Sequence, residues 1–144
     1  MNPVLRVTDV EFGYHPGKPV LRDISFEVSP GEVFIILGAN GCGKSTLMRT
    51  ILGECKPTSG RITVGGDDVA SLGVKQLAQR LAMVFQDHSA PFPFTVLDVV
   101  KMGRTPHLPP FASPTKKDNV ICLEALETVG LKDWAFEPYT QLSG

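Results

Sequence analysis

An α/β fold is predicted for this chain, with an antiparallel β region ahead of the α/β core and a helical subdomain behind it. Three observations lead there. Apolar residues alternate in two segments before residue 30, a continuous apolar run at residues 33–37 leads through a glycine loop into a helix-period segment, and two more such segments follow residue 94.

Taken in order, residues 4–12 carry Leu5, Val7, Val10 and Phe12, a half-buried strand whose Asp9-Val10 step breaks the alternation and calls for a bulge. His15-Pro16-Gly17-Lys18-Pro19 is a turn cluster. Residues 20–28 then alternate, with Val20, Ile24, Phe26 and Val28 apolar, and are expected to pair antiparallel with the first strand. After the turn Ser29-Pro30-Gly31, the run 33–37 suits a strand covered on both faces, as in a parallel sheet, and is expected to be the most buried. Residues 38–43 form a glycine loop. A helix over 44–53 follows, with Leu47, Met48, Ile51 and Leu52 on its apolar face and Gly53 as its stop. Past the turn 57–60, a short strand 61–64, a weak helix 69–80 and a third apolar strand 81–85 are expected. Helices over 96–102 and 116–129 flank the proline-rich stretch 106–114.

Composition narrows the function. At 144 residues and 15.6 kDa one core is expected, and 42% apolar with 20% charged residues is a globular balance. Fourteen basic against fifteen acidic side chains give a net charge of −1, which supplies no field for holding a nucleic-acid backbone. Cys42, Cys55 and Cys122 fit neither a disulfide framework nor a zinc spacing, so a reducing compartment is expected. No segment approaches the ~18 apolar residues of a membrane span and no leader pattern opens the chain, so a cytosolic or peripheral protein is expected. Gln141-Leu142-Ser143-Gly144 ends on a turn, from which a truncated domain is expected.

The chemistry rests on Gly38-Ala39-Asn40-Gly41-Cys42-Gly43-Lys44-Ser45, the pattern G-x-x-x-x-G-K-[ST] between an apolar strand and a helix. Glycines let the loop turn successive N–H groups toward phosphate oxygens, and the helix beginning at Lys44 adds its positive end. Lys44 brings a full charge, Ser45 a hydroxyl for Mg²⁺, and Thr46 a donor for the α-phosphate. A nucleotide and Mg²⁺ are the expected ligands. Cys42 reads as a small filler of the loop. Asp87, His88 and His107 lack a metal-ligand spacing and read as surface groups.

With these residues the chain resembles the nucleotide-binding subunits of ATP-binding-cassette transporters, and the resemblance makes the expected nucleotide ATP. Phe12-Gly13-Tyr14 resembles the aromatic element on which that family stacks adenine, so the resemblance makes Tyr14 the base platform. Val84-Phe85-Gln86 is similar to the glutamine loop, which places Gln86 on Mg²⁺ or the attacking water and at the docking face of a membrane subunit. Leu142-Ser143-Gly144 resembles the start of the L-S-G-G-Q signature, so Ser143 and Gly144 would close over ATP held by a second cassette. Phe92-Pro93-Phe94-Thr95-Val96 and Met102-Gly103-Arg104-Thr105-Pro106-His107-Leu108 resemble importers of iron-siderophore, haem or cobalamin complexes, with molybdate importers close by.

The resemblance divides the chain into an antiparallel β region (1–32), a phosphate-loop NTPase core through the glutamine loop (33–94) and a helical subdomain (95–144). It implies an ATPase powering uptake at the cytoplasmic face of the membrane. Its partners would be a second cassette, transmembrane permease subunits and, indirectly, a periplasmic or surface substrate-binding protein. Lys44 and Gln86 are the catalytic candidates. The family's magnesium-holding aspartate, catalytic glutamate and switch histidine follow the signature, so this chain alone is expected to bind ATP weakly without turning it over. The competing readings are a non-catalytic nucleotide-binding fragment without a transport role, a soluble cassette or phosphate-loop ATPase, and a kinase, for which no acceptor pocket is evident.

Overall fold

The computed structural model describes residues 3–84 and 93–142. The chain forms two compact units, Met1–Ala82 and Met83–Gly144.

The first unit is built on a four-stranded antiparallel sheet of β1 (Leu5–Phe12), β2 (Leu21–Val28), β3 (Ser59–Val64) and β4 (Asp67–Asp68). The strand order is β2-β1-β3-β4. Strand β1 lies between β2 and β3, with Val7 opposite Phe26 on one side and Ile62 on the other. The expected bulge is present: the register shifts between Val7 and Val10, and Asp9 sits at φ 47°. That extra residue moves the buried phase from Val7 to Val10 and Phe12, so all three reach the core despite the broken alternation. The bulge is tied on both sides. Ser25 Oγ accepts from the Asp9 N–H at 2.8 Å and donates to Asp9 Oδ1 at 2.9 Å. Across β3, Gly60 passes so close to the Thr8 and Asp9 carbonyls that no side chain fits there.

Against the sheet lies α1 (Lys44–Ile51), which buries Leu47, Thr50 and Ile51. Leu47 and Ile51 make the core together with Val7, Val10, Phe12, Leu21, Ile62, Val64, Val69 and Leu77. Each buried aliphatic side chain contributes about 1.5–3 kcal/mol, which makes this packing, rather than the intrinsic preference of an eight-residue helix, what holds α1 in place. The helix stops where expected, since Gly53 adopts φ 74° and its N–H returns to the Thr50 carbonyl.

Three expectations are corrected. Residues 33–37 are not a buried strand: among the described residues they have no ladder partner, and Val33, Ile35 and Leu37 are exposed by 85%, 71% and 87%. An apolar run becomes an interior strand only when neighbours take its backbone groups on both edges, and here Ile36 alone of the five side chains is even partly buried. Phe34 stacks on Phe26 with centroids 4.7 Å apart, and Ile36 packs against the core. Nor do residues 81–84 form the third strand; Phe85 lies outside the described residues. The weak helix expected over 69–80 is split into a 3₁₀ turn Val69–Ser71 and a short α2 (Val74–Ala78), because Leu72 and Gly73 take extended conformations between them.

In the second unit α3 (Val96–Met102) and α4 (Lys116–Thr128) pack through Val96, Leu97, Cys122 and Leu126, with Ala135 fully buried beside them. Both helices start alike. Thr95 and Thr115 cap them by accepting from the N–H of Asp98 and Asp118, and each aspartate returns a bond to its threonine N–H. Arg104 joins the second cap, its Nε 2.9 Å from Asp118 Oδ1. The Asp118 carboxyl is held well below the usual range, first by Thr115 and then by the Arg104 guanidinium. Among the described residues no helix is long and apolar enough to cross a membrane.

Candidate functional site

The glycine loop 38–43 runs directly into α1, and its conformation follows from its residue types. Gly41 and Gly43 occupy φ 80° and 103°, where L side chains are strained. Gly43 is also seated on the start of β2: a Cβ there would lie 3.2 Å from Leu21 Cδ2 and 3.3 Å from the Val20 carbonyl oxygen. Gly38 faces Cys42 so closely that an added Cβ would stand 2.6 Å from Sγ. Cys42 therefore does fill the loop, and its N–H closes a turn onto the Ala39 carbonyl at 3.3 Å.

Lys44 is folded back over this loop. Its Nζ donates to the Gly38 carbonyl at 2.6 Å and the Ala39 carbonyl at 2.9 Å, and lies 3.9 Å from Cys42 Sγ. A flexible ammonium is thereby given one position across the mouth of the loop by two charge-assisted bonds.

The start of α1 is the complementary half of the site. Its N-cap is Gly43, with no side-chain cap and no acidic residue in the first turn. Among the described residues no acceptor meets the N–H groups of Gly43, Lys44, Ser45 or Thr46. Orphan donors of this kind, at the positive end of a helix and beside an ammonium, suit a multiply charged anion. The exposed Ser45 hydroxyl stands at the same end.

Tyr14 is brought here by the sheet. Strand β1 ends at Phe12, the hairpin closes through Val20 N–H to the Phe12 carbonyl at 2.7 Å, and Gly13 permits the close pass of Lys18. The Tyr14 ring meets Phe12 edge to face with centroids 5.0 Å apart, and its hydroxyl lies 3.4 Å from Thr46 Oγ1. About half of the Tyr14 residue stays open to solvent. Gly38, Ala39, Asn40, Gly41, Cys42, Gly43, Lys44, Ser45, Thr46 and Tyr14 thus gather in the first unit. Gln86, Ser143 and Gly144, like Asp87 and His88, lie outside the described residues. Sequence reasoning missed Phe12, Val20 and Leu21 as the supports of Tyr14 and Gly43. Their signal, apolar residues at facing strand ends, reads as ordinary core. Among the described residues no group of three His, Cys, Asp or Glu side chains converges on a metal position, and His107 stands exposed.

Known proteins resemble this chain in sequence and in fold. The chain is 35% identical over 144 residues to the molybdate import ATP-binding protein MolC of Haemophilus influenzae, covering all of this chain and 52% of that one. It is 41% identical over 128 residues to the hemin import ATP-binding protein HmuV of Bordetella pertussis, covering 89% of this chain and 48% of that one. It thus spans about half the length of these curated relatives. Among solved structures, CbiO1 of Clostridium perfringens, part of the ABC transporter complex CbiONQ, superimposes with a TM-score of 0.81 at 30% identity, covering 99% of this chain and 57% of that one. The model of the ABC transporter family matches residues 21–144, and the chain belongs to that family.

Proposed function

We propose that this chain is the nucleotide-binding portion of an importer's ATP-binding subunit, holding MgATP between Tyr14 and the loop 38–46. The observation that carries the reading is the Lys44 ammonium, fixed 2.6 and 2.9 Å from the Gly38 and Ala39 carbonyls beside an uncapped helix start. In this reading the N–H groups of Gly43, Lys44 and Ser45 donate to phosphate oxygens, and Asn40 and Gly41 shape the wall of the loop. Thr46 binds the α-phosphate and Tyr14 stacks on the base. Ser45, with Gln86, would hold Mg²⁺, which would offset the charge developing in phosphoryl transfer.

Membership of an ATP-hydrolysing family and the names of the import ATPases it resembles support a role in uptake. The proposed cargo is a metal chelate such as an iron-siderophore, haem or cobalamin complex. A second cassette, closed over by Ser143 and Gly144, and transmembrane permease subunits are the proposed partners, with a substrate-binding protein acting through the permease. The proposed location is the cytoplasmic face of the membrane.

For the 144 residues alone the reading is weak binding without turnover. The second reading is a nucleotide-binding piece without a transport role. Phosphate release from MgATP by the purified chain, with bound nucleotide followed in parallel, is the test. Retention without release is expected, and turnover near ~1 s⁻¹, an ordinary enzyme rate, would contradict it. Co-purification with hydrophobic membrane subunits separates the two readings, since only the importer subunit brings them along.

A further inference from the structure

The two threonines of α1 treat their hydroxyls differently. Thr50 Oγ1 turns back one helical turn and donates to the Thr46 carbonyl at 2.7 Å, the usual fate of a threonine hydroxyl inside a helix. Thr46 Oγ1 makes no such bond among the described residues; its partner is the Tyr14 hydroxyl at 3.4 Å. A phenol is a stronger acid than an aliphatic alcohol, so it is the better donor and the threonine oxygen the better acceptor. With Tyr14 donating, the Thr46 proton is left for another acceptor.

We propose that the Tyr14 hydroxyl is a positioning group for phosphate: it donates to Thr46 Oγ1, keeps that hydroxyl from folding back on the helix, and leaves its proton for a phosphate oxygen of a bound nucleotide. This rests on the nucleotide reading above and adds to it a hydrogen-bond link between the base platform and the phosphate cradle. The link is supported at both ends. Phe12 holds the tyrosine ring edge-on, and Gly43, one turn before Thr46, is seated on Val20 and Leu21 of the same hairpin. One hairpin therefore sets both the ring and the helix start, which keeps the two hydroxyls facing each other.

The test uses two probes, magnesium tripolyphosphate, which has no base, and MgATP, against the wild-type chain, Tyr14→Phe, Thr46→Val, Thr46→Ser and the double variant Tyr14→Phe/Thr46→Val. Tyr14→Phe keeps the ring, and at a half-exposed site it preserves the fold, which circular dichroism verifies. The expected result is a loss of about three- to tenfold for tripolyphosphate and the same factor for MgATP, the scale of one hydrogen bond. In the Thr46→Val background Tyr14→Phe costs nothing further, whereas with Thr46→Ser, which retains the hydroxyl, the dependence on Tyr14 persists. Equal tripolyphosphate binding by wild type and Tyr14→Phe overturns the inference, as does a Tyr14→Phe effect that survives Thr46→Val. Failure of the underlying reading looks different. Wild type and Lys44→Ala then bind MgATP alike, or the folded wild type binds neither probe, and the inference falls with the site.

Discussion

Gly43 shows how much of the site is set by single residues. It needs a positive φ of 103° and the absence of a Cβ against Val20 and Leu21, two separate demands at the joint between loop and helix. Gly43→Ala is therefore expected to lower stability by about 1–3 kcal/mol, read from denaturant midpoints, and to lose nucleotide binding with it. Ser45→Ala leaves the fold alone, because the hydroxyl is exposed and makes no hydrogen bond among the described residues. In titrations with and without Mg²⁺, it is expected to abolish the magnesium dependence of nucleotide affinity. The three free cysteines order by accessibility: Cys42 is exposed, Cys55 half-buried and Cys122 buried. Burial also pushes the Cys122 thiol up, away from its reactive thiolate. Mass-spectrometric alkylation of the native chain should then label Cys42 first and Cys122 last, with MgATP slowing only Cys42.

At the scale of elements, the start of α4 carries a pH dependence of definite sign. Asp118 is depressed below an ordinary carboxylate by the Thr115 hydrogen bonds and Arg104. A depressed acid contributes stability that is present above its unfolded value, about 3.9, and lost as pH falls through its folded value. Helicity of α4 should hold from neutral pH to about pH 4 and decline below it, followed by circular dichroism. The decline should be absent in Asp118→Asn, which begins less stable. Thr115→Ala removes the reciprocal cap and is expected to cost about 1 kcal/mol at neutral pH. These helices were legible in the sequence because their information is local: α3 spans the expected 96–102, and α4 differs from the expected 116–129 only at Val129. The bulge at Asp9 was legible for the same reason, as a break in a period of two. The run 33–37 was not, since an apolar string states a need for neighbours and says nothing of whether they are supplied.

For the whole molecule that run has a consequence. Val33, Ile35 and Leu37 display apolar surface along a backbone with no ladder partner among the described residues, the kind of edge that recruits other chains. Sedimentation should show concentration-dependent association that Ile35→Lys suppresses; a monodisperse monomer at high concentration would argue that the run is covered in solution. Within the candidate site, the loop and Tyr14 were readable because a spaced glycine motif and an aromatic before it are short patterns. The support given by Phe12, Val20 and Leu21 was not, because it exists only once β1 and β2 pair. The central claim is that this chain carries a working phosphate cradle organised around Lys44. Calorimetry of MgATP binding to the folded wild-type chain and to Lys44→Ala tests it most directly. The account predicts weak but measurable binding to the wild type, reduced by about tenfold or more when the charged hydrogen-bonding group is removed. Equal affinity of the two proteins, or a folded wild type that takes up no nucleotide, would contradict it.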